Sequence, residues 1–300
     1  MKDFTLYFEK YKKIIDELSS YNEYDGNIKH LLYVIIPAFV CKYGLEREKL
    51  ILKCLKETIF TVIENGNIGQ EAFFDRRIIK RNNTLLVQKY IVINGLKKNE
   101  YIDLIDSVVH EFNHAVNSMI NEIVITNSEI KLRTGLSYLI YSEKNSKKTD
   151  SYLLEEIINT KQSEEIISII YNFKYNGNDE EIRNLLDTII REKKHEKYIS
   201  SAYSIFMQCC NKLLENKTFM KTVEIYRLNG DVNYIEKWFD DISGESGQLN
   251  NLISLLIKLE QLINKYEKTF FKNRIKLKIL NIMNQINKIS EDFSLSTVYK

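Results

Sequence analysis

Apolar residues recur every three or four positions over most of this chain, and the exceptions to that rhythm lie in its first two thirds. Phe4, Tyr7, Phe8, Tyr11, Ile14, Ile15 and Leu18 trace one helical face, and Leu31 to Val40 carries the pattern on, so two or three helices open the fold. The longest apolar run, Leu31 to Cys41, contains the only proline, Pro37. It is far shorter than the roughly 20 residues of a membrane-crossing helix and reads as a buried core helix. From Phe73 to Ile93 the period changes. Ile78-Ile79 and Leu85-Leu86-Val87, then Tyr90 to Ile93, flank the turn-prone Asn82-Asn83, which predicts a β-hairpin. A long amphipathic helix follows over 101–119, and 122–126 and 130–141 read as extended, with Gly135 marking a bulge or a close approach.

A polar stretch over 142–150 precedes a helix at 152–171, and Asn176-Gly177-Asn178-Asp179 is the best candidate boundary. Beyond it, helical spacing governs 180–191, 198–214, 219–226, 234–239, 249–266 and 275–289. The pattern predicts an α+β fold: an N-terminal half with a small antiparallel sheet, then an all-helical C-terminal half. Residues 1–175 and 176–300 are the expected divisions, the second being either a domain or an extension of the first.

Composition narrows the classes of function. The 300 residues include 43 basic and 41 acidic side chains, so a formal charge of +2 provides no excess field toward nucleic acid or an anionic membrane, and neither partner is expected. The first residues show no apolar segment followed by a cleavage site, which points to a cytoplasmic chain. Cys41, Cys54 and the pair Cys209-Cys210 form neither a CxxC clamp nor a disulfide framework, and read as buried, reduced thiols.

The chemistry sits on the central helix. His110-Glu111-Phe112-Asn113-His114 is an HExxH sequence, flanked by Ser107-Val108-Val109 and Ala115-Val116. At about 100° per residue His114 falls about 40° from His110, and Asp103, Asp106, Asn117 and Asn121 share the same polar stripe. Ile105, Val108, Phe112, Val116 and Met119 cluster on the opposite side, so one face enters a core while the histidines face a cleft. Two imidazoles one turn apart suit one zinc ion, and Glu111, at about 100°, leans beside the stripe as a general base rather than a ligand. The bland alternative is a surface helix whose polar stripe is solvated.

A catalytic zinc takes three protein ligands, and the third must come from elsewhere. The metzincin extension is excluded, since Asn117 and Ile120 stand where its Gly and His belong. About forty residues on, Leu153-Leu154-Glu155-Glu156-Ile157-Ile158-Asn159-Thr160 offers a carboxylate on a later helix. Over 103–165 the chain resembles the gluzincins, the thermolysin-like zinc peptidases, in which a Glu on a second helix completes the site. The resemblance implies a zincin-like N-terminal half, Zn²⁺ held by His110, His114 and Glu156, and a peptide or protein substrate. Glu156 is favoured because the family's Leu-Asn-Glu maps onto Leu154-Glu155-Glu156; Glu155 stays open. Thr160 replaces the family's usual acidic partner of a zinc histidine, leaving Asn159 or Thr160 as weaker substitutes. Among nineteen tyrosines Tyr138, Tyr141 and Tyr152 are structural residues by default, and they and Arg133 become candidate oxyanion donors only through the resemblance, since gluzincin-like sites often use a Tyr, His or Arg there.

Two other readings compete. Glu111-x-x-His114 and Glu192-Lys193-Lys194-His195 form a pair of ExxH elements, as in di-iron bundles, although the second lies where the apolar pattern has run out. The other is a non-catalytic helical interaction protein with a relic zincin site.

Overall fold

Helix α2 (Gly26–Tyr43) is the apolar run at the head of the chain, and it is buried without interruption from Leu31 to Val40, Pro37 included. Asp25 starts it by accepting a hydrogen bond from Asn27 N–H at 2.9 Å. The computed structural model describes residues 4–22, 24–63, 72–81, 84–95, 101–126, 129–141, 146–193, 203–268 and 272–297. Around α2 the first elements are α1 (Thr5–Asn22), α3 (Glu48–Glu57), β1 (Thr58–Ile63), β2 (Ala72–Arg81), β3 (Thr84–Asn94) and α4 (Tyr101–Ser118). Then come β4 (Ile123–Ile125), β5 (Ile130–Thr134), β6 (Ser137–Tyr141), β7 (Ser146–Lys148) and α5 (Tyr152–Tyr171). The remainder is α6 (Glu180–Lys193), α7 (Ser204–Cys209), α8 (Asn211–Glu215), α9 (Lys217–Asn229), α10 (Asn233–Ser243), α11 (Gln248–Lys268) and α12 (Lys272–Ser296). The fold is mixed α+β, and every described element after residue 176 is a helix.

Contacts group the chain into two compact units, Met1–Val116 with Gln162–Tyr198, and Asn117–Lys161 with Ile199–Lys300. This differs from the sequential division at 175/176. The segment after α5 folds back on the first helices, where the Phe173 ring meets Phe4 and Phe8 at 5.1 and 5.0 Å and Lys12 pairs with Asp179 at 2.6 Å.

In the first unit the strands run β1-β3-β2, with β2 antiparallel and β1 parallel to the central β3. The hairpin is therefore present, but the sheet is mixed rather than antiparallel, because β1 occupies a stretch that the sequence assigns to no strand. Its residues Thr-Ile-Phe-Thr-Val-Ile are β-branched or aromatic, and a partner some thirty residues away, Thr58 opposite Lys89, makes them a strand. The apolar face of α4 packs here: Ile105, Val108, Phe112 and Val116 are fully buried, and the Phe112 ring meets Phe39 at 5.0 Å and Phe60 at 6.2 Å. Met119, beyond the helix end, is half-buried.

A charged cluster joins α1 to its neighbours within this unit. Burial alone would raise the Asp16 pKa, but hydrogen bonds from Lys29 and Tyr33, both at 2.6 Å, overcome it and hold the carboxyl below its usual value. Asp179 is lowered in the same way against its burial by Lys12, and Glu48 by Lys10 and Tyr11. A carboxylate whose folded pKa is depressed adds stability above the ordinary range near about 4 and loses it as pH falls through the folded value. Denaturant midpoints measured from pH 7 to pH 2 are expected to fall in that window, and less steeply in Asp16→Asn/Asp179→Asn. Equal slopes for the two proteins would refute the assignment.

The second unit holds the sheet β4-β5-β6-β7, antiparallel throughout. β5 and β6 form a tight hairpin with Thr134 opposite Ser137, so Gly135, at φ +52°, is a turn residue within the run expected to be extended. β7 falls in the polar stretch that carried no strand signal, and it exists by pairing with β6. Its helical core includes Phe219, Phe239, Phe293, Leu252 and Leu256, and the Phe239 and Phe293 rings stack at 4.3 Å. Of the expected 198–214 helix, residues 198–202 lie outside the described residues and the rest is two short helices broken at Cys210. Cys54, Cys209 and Cys210 are buried, with burial pushing the Cys209 thiol up to about 11, whereas Cys41 is exposed, contrary to expectation. Among the described residues no single helix is long and apolar enough to cross a membrane.

Candidate metal centre

α4 carries the HExxH residues along a burial gradient. On the polar stripe Asp106 is exposed, His110 is half-buried, His114 is only 4% exposed and Asn117 is fully buried. A solvated surface stripe would leave His114 in water, so that reading fails at this residue. The Asp103 side chain lies outside the described residues. Asn121 does not belong to the stripe, because the helix ends at Ser118 and Asn121 sits at φ +52° with its amide donating to the Gly230 carbonyl.

His110 and His114 stand one turn apart, their ring centroids 4.9 Å apart and their planes nearly perpendicular at 79°. One ligand atom from each of His110, His114 and Glu156 lies within 4.8 Å of the other two. Around a tetrahedral zinc, with bonds of roughly 2.0–2.2 Å, neighbouring ligand atoms are about 3.4 Å apart. The set is within reach of ligating distances, and two nitrogens and one oxygen are the donor types that a His₂Glu zinc site uses. Glu111, half-buried, lies between the two histidines in sequence and outside the donor group.

The adjacent glutamate has a different environment. Glu155 is 1% exposed and forms a buried ion pair with Arg227 of α9. Its Oε2 accepts from Arg227 Nε at 3.0 Å and from the Leu136 N–H at 2.8 Å. The same guanidinium donates to Asn159 Oδ1 at 3.0 Å, and Thr160 Oγ1 donates to the Glu156 carbonyl at 2.8 Å. Asn159 and Thr160 therefore engage Arg227 and the helix backbone.

Two of the candidate oxyanion donors are committed elsewhere. Arg133 is fully buried and donates to the carbonyls of Ile120 (3.0 and 2.6 Å), Gly135 (2.7 Å) and Arg227 (3.1 Å); burial lowers its pKa to about 10. The Tyr152 hydroxyl donates to Glu260, and its pKa is raised by burial and by that carboxylate. Of the second ExxH element, Glu192 lies near the end of α6 and His195 lies outside the described residues. Arg227 was not singled out from the sequence, because nothing local marks an Arg in an amphipathic helix as the partner of a Glu seventy-two positions earlier. Gly135 was the one trace of this arrangement.

No family model, curated protein or solved structure matches the chain.

Proposed function

We propose that this chain is a zinc-dependent peptide-bond hydrolase of the gluzincin type, with His110, His114 and Glu156 as ligands. The observation that carries the reading is the convergence of these three donors, two of them from an HExxH helix. When bound, Zn²⁺ supplies a Lewis acid that polarises a carbonyl and acidifies water. Glu111 is the residue to accept the proton of the attacking water and return it to the leaving amine nitrogen, since its carboxylate is outside the donor group and within the same helical turn. The burial of His114 keeps bulk water from competing for its imidazole. β2 is an edge of the β1-β3-β2 sheet and offers backbone groups to an extended peptide or protein substrate. A cytoplasmic location belongs to this reading as well.

The test is metal content by mass spectrometry on protein purified without chelator or affinity metal, for the natural chain and His114→Ala. One zinc per chain, lost in the variant, is the expected result. Two irons would replace the reading with a di-iron protein, and no metal after zinc is supplied would leave a helical interaction protein.

A further inference from the structure

We infer that Arg227 is a positioning residue for Glu156, acting through Glu155 and Asn159. The inference rests on the reading of Glu156 as a metal ligand and assigns a role in that site to a helix far along the chain. On α5, Glu155 and Asn159 are one turn apart and share a stripe, while Glu156 points about 100° round from Glu155. One guanidinium, itself fully buried, grips both members of that stripe: its Nε and one terminal nitrogen engage the two Glu155 oxygens, and that same terminal nitrogen reaches Asn159 Oδ1 at 3.0 Å. A planar fork that meets a carboxylate with two bonds and an amide one turn further on fixes both the rotation of the helix about its axis and its axial position.

The fork is anchored in turn. Arg133 donates to the Arg227 carbonyl at 3.1 Å and to the Gly135 carbonyl at 2.7 Å, and the Leu136 N–H closes on Glu155 Oε2 at 2.8 Å. A buried ion pair adds little stability over apolar residues of the same size, because both charges lose their hydration; what this one provides is defined geometry. The geometry matters at the scale of a metal bond. A carboxylate at about 5–6 Å from the helix axis moves about 2 Å for a 20° rotation of α5, a whole zinc–oxygen bond length.

The test compares the natural chain with Glu155→Gln/Arg227→Met, which removes both buried charges and keeps an acceptor for the Leu136 N–H. Folding is followed by near-UV circular dichroism, zinc affinity by chelator competition, and ligand geometry by the visible spectrum of the cobalt-substituted protein. The folded double variant is expected to bind zinc about 10–100-fold more weakly, with a cobalt spectrum shifted to that of Glu156→Gln. An unchanged zinc Kd and cobalt spectrum in a folded double variant would overturn the inference and leave the pair as structural. Should the double variant not fold, Arg227→Lys keeps the charge but loses the fork, and an unchanged spectrum there overturns it equally. If the natural chain binds neither zinc nor cobalt, the metal reading itself fails and takes the inference with it, a result distinct from metal binding that ignores Arg227.

Discussion

Glu111→Gln is expected to lower peptide hydrolysis by about 10²–10⁴-fold while leaving one zinc per chain in place. The two halves of that result come from two features of α4. Glutamine has the size and shape of glutamate but cannot take a proton from water, so the loss measures proton transfer, for which about 10²–10⁴ is the usual contribution. Zinc is retained because Glu111 lies outside the donor group of His110, His114 and Glu156. Turnover of a mixed peptide library, read by mass spectrometry beside metal content, checks both. Undiminished turnover would remove Glu111 from the chemistry. Zinc lost together with activity would make it a ligand.

The second large effect is on stability. Gly135→Ala is expected to lower the unfolding free energy by about 3 kcal/mol or more, through strain at a positive φ and disruption of a buried charge pair. Gly135 sits at φ +52°, and a Cβ there would meet Glu155 Oε2 at 2.1 Å and Oε1 at 2.2 Å. A glutamate end can normally swing away at little cost. Here both oxygens are held, by Arg227 and by the Leu136 N–H, so moving the carboxylate breaks buried charge-assisted hydrogen bonds. Urea unfolding of the two proteins measures the difference, and a change under about 1 kcal/mol, an ordinary point-mutation effect, would show that the pair relaxes freely. The same variant is expected to weaken zinc binding, since it pushes on the pair that orients α5.

The legible parts of the fold were those whose signal lies within one element. α4 appears as the periodicity predicts, because apolar spacing over 18 residues repeats the 3.6-residue turn several times, and α5 occupies the expected 152–171 although its apolar residues do not keep to one face. β1 and β7 were not legible. β1 continues directly from α3, with the Thr58 hydroxyl bonded back to the Cys54 carbonyl at 2.7 Å, and only β3 makes it a strand; β7 is three polar residues paired to β6. The division of the chain was likewise out of reach, since it depends on Phe173 and Asp179 returning to α1.

For the candidate centre, the sequence by itself determined the histidine pair and its intervening carboxylate, because residues four apart on a helix share a face wherever the helix is placed. Helical spacing left the third donor between two neighbouring glutamates, since adjacent residues of the same type differ only in direction, and only the resemblance to the gluzincin Leu-Asn-Glu pattern favoured Glu156 over Glu155. Tertiary structure alone decided between their environments. Arg227, seventy-two residues from Glu155, neutralises that buried carboxylate with a bidentate ion pair, whereas Glu156, one residue on, is only half-buried. It likewise withdrew Arg133 from the chemistry by burying its guanidinium among carbonyls, a fate set by the partners the fold supplies rather than by anything in Lys131-Leu132-Arg133-Thr134.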